Sequence, residues 1–98
     1  MSNNTKQVQV KFPESLMNGV YANVLNVSHT PEEFIMDFMM VAPPSGAVCA
    51  RIITSPGHMK RIISALQMNL KKYESTFGKI KPAAEPKHES NIGFKRDE

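Results

Sequence analysis

The segment FIMDFMMV, residues 34–41, constrains the fold most strongly because it is apolar on both sides of an extended chain. A strand with one solvated face normally alternates apolar with polar residues. Here only Asp37 interrupts the apolar run. We therefore expect this strand to lie in a sheet with both faces covered, and we expect a partner for the carboxylate.

Three more segments have the composition of strands. Residues 7–12 alternate apolar with polar side chains, which is typical of a half-buried strand. Residues 20–28 form a second strand pattern, and residues 47–54 form a fourth after the turn sequence APPSG. Thr30, Pro31 and Glu33 predict a tight turn before the third strand.

A long helix follows the strands. Ser55 is suited to the N-cap, Pro56 to the first helical position and Gly78 to the C-terminal stop. Apolar residues recur at alternating spacings of four and three: Met59, Ile63, Leu66, Leu70, Tyr73 and Phe77. This repeat suits a coiled-coil seam or a helix packed on a sheet, and the need to cover the sheet favours the second reading.

The order of elements predicts an α+β fold, ββββα. It consists of a four-stranded antiparallel meander sheet followed by one long C-terminal helix packed on one face. We expect a flexible N-terminus at 1–5, a single domain at 6–78 and a disordered Pro-, Glu- and Lys-rich tail at 79–98. The chain of 98 residues has room for one thin core, which oligomerisation would reinforce.

We assume that the third and fourth strands form a hairpin in which Val41 lies opposite Ala47, and this assumption fixes the pairing of all their residues. Asp37 then lies directly opposite Arg51, and even-numbered residues of both strands point towards the helix. The same reasoning on the second and third strands places Val27 opposite Phe34. The odd-numbered side chains of the third and fourth strands consequently face away from the helix, together with Ala22, Val24 and Asn26 of the second strand.

That second face forms an apolar patch around one expected ion pair. Such a patch typically marks an interaction surface. We hypothesise that another subunit covers it, and the alternative is that the N-terminal arm or the tail lies over it. The hypothetical interface consists of Val24, Ile35, Asp37, Met39, Cys49, Arg51 and Ile53.

Two long stretches resemble a known family. YANVLNVSHTPEEFIMDF and RIITSPGHMKRIISALQMNLKKYESTFGKI together are similar to the prokaryotic family called domain of unknown function 3467. The shared motifs lie at 21–23, 28–38, 51–60 and 73–78. Ala50, Thr54 and Met59 depart from its common residues. The resemblance implies a cytoplasmic prokaryotic protein and brings no activity with it.

The sequence contains no recognisable catalytic, cofactor or metal motif. Its three histidines lack metal-ligand spacing, and the single Cys49 has neither a base nor a second ligand beside it. We therefore expect no enzyme activity and no cofactor. The lone cysteine, the absence of a membrane-length apolar run and the polar first residues suggest a cytoplasmic protein without a membrane association.

Two functions remain. The first is a homodimeric interaction module that takes up an unidentified protein partner. The second is binding of single-stranded nucleic acid, because four strands followed by a helix are similar to the repeat of the Whirly and PUR-type proteins. The residues expected to contact nucleic acid are Lys60, Arg61, Lys71 and Lys72.

Overall fold

The computed structural model describes residues 7–84 and 86 and shows an α+β protein. A 3-10 turn at Glu14–Leu16 precedes three strands: β1 at Val24–His29, β2 at Phe34–Ala42 and β3 at Ser45–Thr54. One helix, α1, follows at Pro56–Phe77. The strands form one antiparallel sheet in the order β1-β2-β3, so β2 is the central strand.

The strand expected at 7–12 is not formed. Residues 7–13 have no regular secondary structure and are exposed, with Val8 83% accessible. An alternating segment becomes a strand only when a sheet edge accepts its backbone hydrogen bonds. Within the described residues neither edge of the sheet does so, and the meander therefore has three strands rather than four.

The turn between β1 and β2 is held by Thr30, as expected. Its hydroxyl accepts hydrogen bonds from the backbone N–H groups of Glu32 and Glu33, and its own N–H donates to the Glu33 carbonyl. This tight turn places His29 opposite Phe34. The predicted pairing of Val27 with Phe34 was wrong by two residues, a shift that keeps every side chain on its predicted face.

The β2–β3 hairpin follows the predicted register only at its open end. Asp37 lies opposite Arg51, as expected, and Phe38 opposite Ala50. Beyond Phe38 the register shifts by one, so that Met39 faces Val48 and Val41 faces Gly46. The predicted pairs Val41–Ala47 and Met39–Cys49 were wrong because the turn at Pro43–Pro44 is shorter than expected. The extra residue, Cys49, is accommodated as a β-bulge.

Helix α1 begins and ends where its capping residues predict. The Ser55 hydroxyl accepts a hydrogen bond from the His58 N–H, and Pro56 is the first helical residue. At the other end Gly78 adopts φ 97°, a conformation that favours glycine, and its N–H donates to the Glu74 carbonyl. The Glu74 carboxylate also accepts from the Ile80 N–H, which holds the chain just beyond the helix.

The helix does not pack on a face of its own sheet, contrary to expectation. Met59 in the first turn is the one buried residue among its 22 residues. The later apolar positions of the helix, 63, 66, 70, 73 and 77, are all exposed. The reason lies in the connection: Ser55 alone separates β3 from α1, which leaves too little chain for the helix to turn back.

The outer segments were expected to be a flexible N-terminus at 1–5 and a disordered tail at 79–98. Residues 1–6, 85 and 87–98 lie outside the described residues. Residues 79–84 have no regular secondary structure and are exposed.

Candidate functional site

The register assigns each strand residue to one of two faces, since paired residues share a face. We name the faces after the numbering of β2. The odd face carries Val24, Asn26, Ile35, Asp37, Met39, Val41, Val48, Arg51 and Ile53, and the even face carries Leu25, Val27, Phe34, Met36, Phe38, Met40, Ala50, Ile52 and Thr54. Val48 was expected on the helix side, and the bulge at Cys49 moves it to the odd face.

A polar row crosses the middle of the odd face. Asn26, Asp37 and Arg51 lie opposite one another on the three strands. Arg51 Nε donates to Asp37 Oδ1 over 2.7 Å, and Arg51 Nη2 donates to Asp37 Oδ2 over 3.0 Å. The pair is therefore bidentate, the geometry in which guanidinium and carboxylate bind most strongly.

The two members of this pair differ in exposure. Asp37 is 2% exposed, whereas the Arg51 side chain is 59% exposed. The hydrogen bond from Arg51 holds the pKa of the Asp37 carboxyl below its usual value, and burial of the carboxyl opposes this effect. The carboxylate thus remains charged at neutral pH and orients an exposed guanidinium above the sheet.

The segment before β1 lies over one end of the odd face. The Cys49 thiol at the bulge is 3.6 Å from the Tyr21 carbonyl oxygen, to which it donates. Met39, beside it on the central strand, is 3% exposed, and Val24 is also buried. The backbone at Tyr21 therefore lies beside the odd face at its hairpin end, whereas coverage of this face by a second subunit or by the N-terminal arm stays a prediction.

Asn23 fastens this arm to β2. Its backbone N–H donates to the Met39 carbonyl, its side-chain Nδ2 donates to the Val41 carbonyl, and its Oδ1 accepts from the Val41 N–H. The side chain thereby reproduces the two bonds that another strand residue would make. Sequence reasoning assigned Asn23 no role. Its signal was an asparagine inside an apolar strand pattern, where that residue is depleted.

The seven residues of the hypothetical odd-face interface differ in how far they are buried within the chain. Val24, Asp37 and Met39 are buried within the chain, Ile35 is partly buried, and Cys49, Arg51 and Ile53 are exposed. The strands bring these residues together around the ion pair. Only the exposed three offer substantial area to a second molecule.

Larger uncovered apolar surfaces lie elsewhere. On the even face, Leu25, Val27, Met40 and Ile52 are each between two fifths and one half exposed. On the helix we call the exposed positions 63, 66, 70, 73 and 77 the helix stripe. Its members range from about half exposed to 72% for Phe77. Tyr73 and Phe77 contact each other at its end, with ring centroids 4.9 Å apart.

The expected basic contacts lie on other sides of α1. Lys60, Arg61, Lys71 and Lys72 are all exposed, and Arg61 Nε donates to His58 Nδ1 over 3.1 Å. A shallow cavity of about 330 Å³ lies beside Arg61, Met68 and Lys72. At 100° per residue, these basic positions point away from the helix stripe.

The described residues contain no group of three or more His, Cys, Asp or Glu side chains placed to hold a metal ion. No helix of residues 7–84 and 86 combines the length and apolarity needed to cross a membrane.

Comparison with known proteins gives one match. No curated protein and no solved structure is significantly similar to the chain. The family model described as "Protein of unknown function (DUF3467)" matches residues 1–82, which is more than four fifths of the sequence. The resemblance carried by the Tyr-Ala-Asn, His-Thr-Pro-Glu-Glu-Phe and Ser-Pro-Gly-His motifs is thereby confirmed, and the chain belongs to the DUF3467 family of proteins of unknown function.

Proposed function

We propose that this protein is a non-enzymatic assembly module whose folded unit is a homodimer. The observation that carries the proposal is the exposure of two apolar surfaces on one chain, the even face and the helix stripe. Burying a leucine, isoleucine or phenylalanine side chain stabilises a structure by about 1.5–3 kcal/mol. A monomer with this geometry would forgo much of that free energy.

The accessible surface supports a second copy as the partner. The even face and the helix stripe together carry nine large apolar side chains that are each about two fifths exposed or more. Obligate homodimers bury about 1,000–2,500 Å² on each chain and have more hydrophobic interfaces than transient complexes. An interface of that kind would bury these side chains.

The small core of the monomer also supports a dimer. Its described buried apolar residues are Val24, Met36, Met39 and Met59. Four such side chains are few for a domain of this size, and small domains often compensate by oligomerisation.

The fourth strand belongs to this proposal. Val8, Val10 and Phe12 alternate on one side of an exposed segment, and both β1 and β3 are sheet edges within the described residues. We propose that residues 7–12 pair as a fourth strand with one edge of the sheet when the dimer forms. The alternative is that a strand of a different protein pairs with that edge. Amide hydrogen exchange that is slow at Val8–Phe12 in the dimer would support edge pairing by this segment.

Cytoplasmic residence is also part of the proposal. An exposed, unpaired cysteine at position 49 suits a reducing compartment better than an oxidising one.

The test is sedimentation velocity at micromolar concentration, with two matched variants. Wild-type protein is expected at twice the 11.0 kDa chain mass. Leu66→Glu, on the helix stripe, is expected to be monomeric, and Met68→Glu, on the opposite side of the helix, is expected to remain dimeric. A monomeric wild type would overturn the proposal.

Binding of single-stranded nucleic acid is the second candidate. The exposure of all four basic residues, on sides of the helix that a dimer through the stripe leaves free, favours it. Against it, the described aromatic residues of the helix, Tyr73 and Phe77, lie on the stripe and not among the cations, where stacking with bases would require them.

Fluorescence anisotropy with a labelled oligonucleotide at two salt concentrations separates these functions. Affinity that falls steeply with salt, and that Lys71→Gln weakens, would favour nucleic-acid binding. If the anisotropy of the oligonucleotide does not change when protein is added, nucleic-acid binding is excluded and the assembly module is the remaining proposal.

A further inference from the structure

We infer that the dimer forms by exchange of helices, so that α1 of each copy packs on the even face of the other copy's sheet. The inference rests on the proposed homodimer and specifies its geometry. The helix stripe and the outer part of the even face, at Leu25, Val27, Met40 and Ile52, are two apolar surfaces of the folded elements that one chain leaves exposed.

The connection between β3 and α1 keeps these surfaces apart within one chain. β3 ends at Thr54 and α1 begins at Pro56, so that Ser55 is the whole connection. Ser55 is extended, with φ −77° and ψ 157°, and its hydroxyl is committed to the His58 N–H. Pro56 has a fixed φ of about −65°.

A helix that returns across its own sheet normally needs a connection of about 2–6 residues. A one-residue connection followed at once by a proline directs the helix away from the end of β3. Short hinges of this kind favour exchange of an element between identical chains, because the partner's surface then takes the place of the chain's own.

The two surfaces match in chemistry. The even face carries no Asp, Glu, Lys or Arg side chain from any of the three strands, and the helix stripe consists of Ile, Leu, Tyr and Phe. By contrast, the odd face carries the Asp37–Arg51 pair. Docking of the helix stripe on the even face therefore desolvates no charged side chain of the three strands.

The two surfaces also match in length. The 22 residues of α1 extend about 33 Å, and the 10 residues of β3 also extend about 33 Å. Reciprocal exchange between two copies closes under two-fold symmetry and uses both surfaces of both chains.

The first test lengthens the hinge. Six Gly/Ser residues are inserted between Thr54 and Ser55, which leaves the Ser55–His58 cap intact. We expect this variant to be monomeric by sedimentation with unchanged helical circular dichroism, because its helix now reaches its own even face. The control carries the same six residues between Gly78 and Lys79 and is expected to remain dimeric.

The outcomes distinguish failure of the homodimer from failure of helix exchange. A monomeric wild type would contradict the homodimer itself. A dimeric wild type together with a dimeric hinge variant overturns helix exchange and leaves the homodimer in place.

A second test does not depend on the hinge variant folding. Two copies with different tags are made, and both carry Cys49→Ser. One copy also carries Leu66→Cys on the helix stripe, and the other carries Ile52→Cys on the even face. The two copies are mixed, refolded together and treated with a short bismaleimide. Helix exchange predicts a cross-linked product containing both tags. Efficient cross-linking of two Leu66→Cys copies without any helix-to-sheet product would instead show a helix–helix interface and overturn the inference.

Discussion

Asp37 and Arg51 lie directly opposite each other on β2 and β3 and are joined by two hydrogen bonds of 2.7 and 3.0 Å. The carboxylate is buried and the guanidinium is exposed. The pair thus places one charged group in the odd face and the other in solvent. It also links β2 to β3 in a single register, because the two hydrogen bonds form only when Asp37 and Arg51 are paired.

Removal of this carboxylate should destabilise the protein. We expect Asp37→Ala to lower Tm by at least about 4 °C, because it breaks both hydrogen bonds and leaves Arg51 over an apolar patch without its partner. Glu32→Ala, at an exposed turn position, is the matched control and should change Tm little. Calorimetry at one fixed protein concentration measures both, and equal melting temperatures would contradict the assignment.

The stability of the protein should depend on pH through Asp37. Its pKa in the folded state is lowered, so the pair stabilises the folded state above the unfolded-state pKa of about 3.9, and this contribution is lost as pH falls through the folded-state pKa. The difference in Tm between wild type and Asp37→Asn should be constant above about pH 5 and shrink below about pH 4. A difference that stays the same throughout this range would exclude the carboxylate as the titrating group.

Asn23 should hold the N-terminal arm on β2. Asn23→Ala removes two side-chain hydrogen bonds to Val41, and we expect it to lower the free energy of unfolding by about 1–2 kcal/mol. Amide exchange at Val41 should become faster in this variant. Asn18→Ala, in the exposed segment before β1, serves as the control; protection of the Val41 amide that is equal in both variants would argue against the clamp.

The Ser55 cap should stabilise the start of α1. Ser55→Ala is expected to cost about 1 kcal/mol because the His58 N–H loses its acceptor. Ser55→Asp should retain most of the stability, since aspartate is an equally good N-cap. Urea denaturation measures both variants, and a loss of the same size in each would show that the hydroxyl acts by some means other than capping.

Local patterns were sufficient for the helix and for the faces of the sheet up to the bulge at Cys49, beyond which Val48 lies on the face opposite to the predicted one. Ser55, Pro56 and Gly78 mark the ends of α1 because capping depends on residues within one turn of each end. The facing of Asp37 and Arg51 was predictable because side chains alternate strictly along a strand. Exact register was less accessible, since the Pro43–Pro44 turn and the bulge at Cys49 change the pairing without changing the apolar pattern.

The sequence by itself determined the helix with both of its ends, the approximate positions of three strands and the two-sided apolar character of β2, all of which follow from interactions between near neighbours in the chain. Only the tertiary structure decided that residues 7–12 remain unpaired in the described chain and that the helix stripe does not cover its own sheet. Hydrophobic periodicity states that a surface will be buried but carries no information about which surface buries it. In the structure one residue separates β3 from α1 and sets the direction in which the helix leaves the sheet, so the helix stripe lies apart from the chain's own sheet.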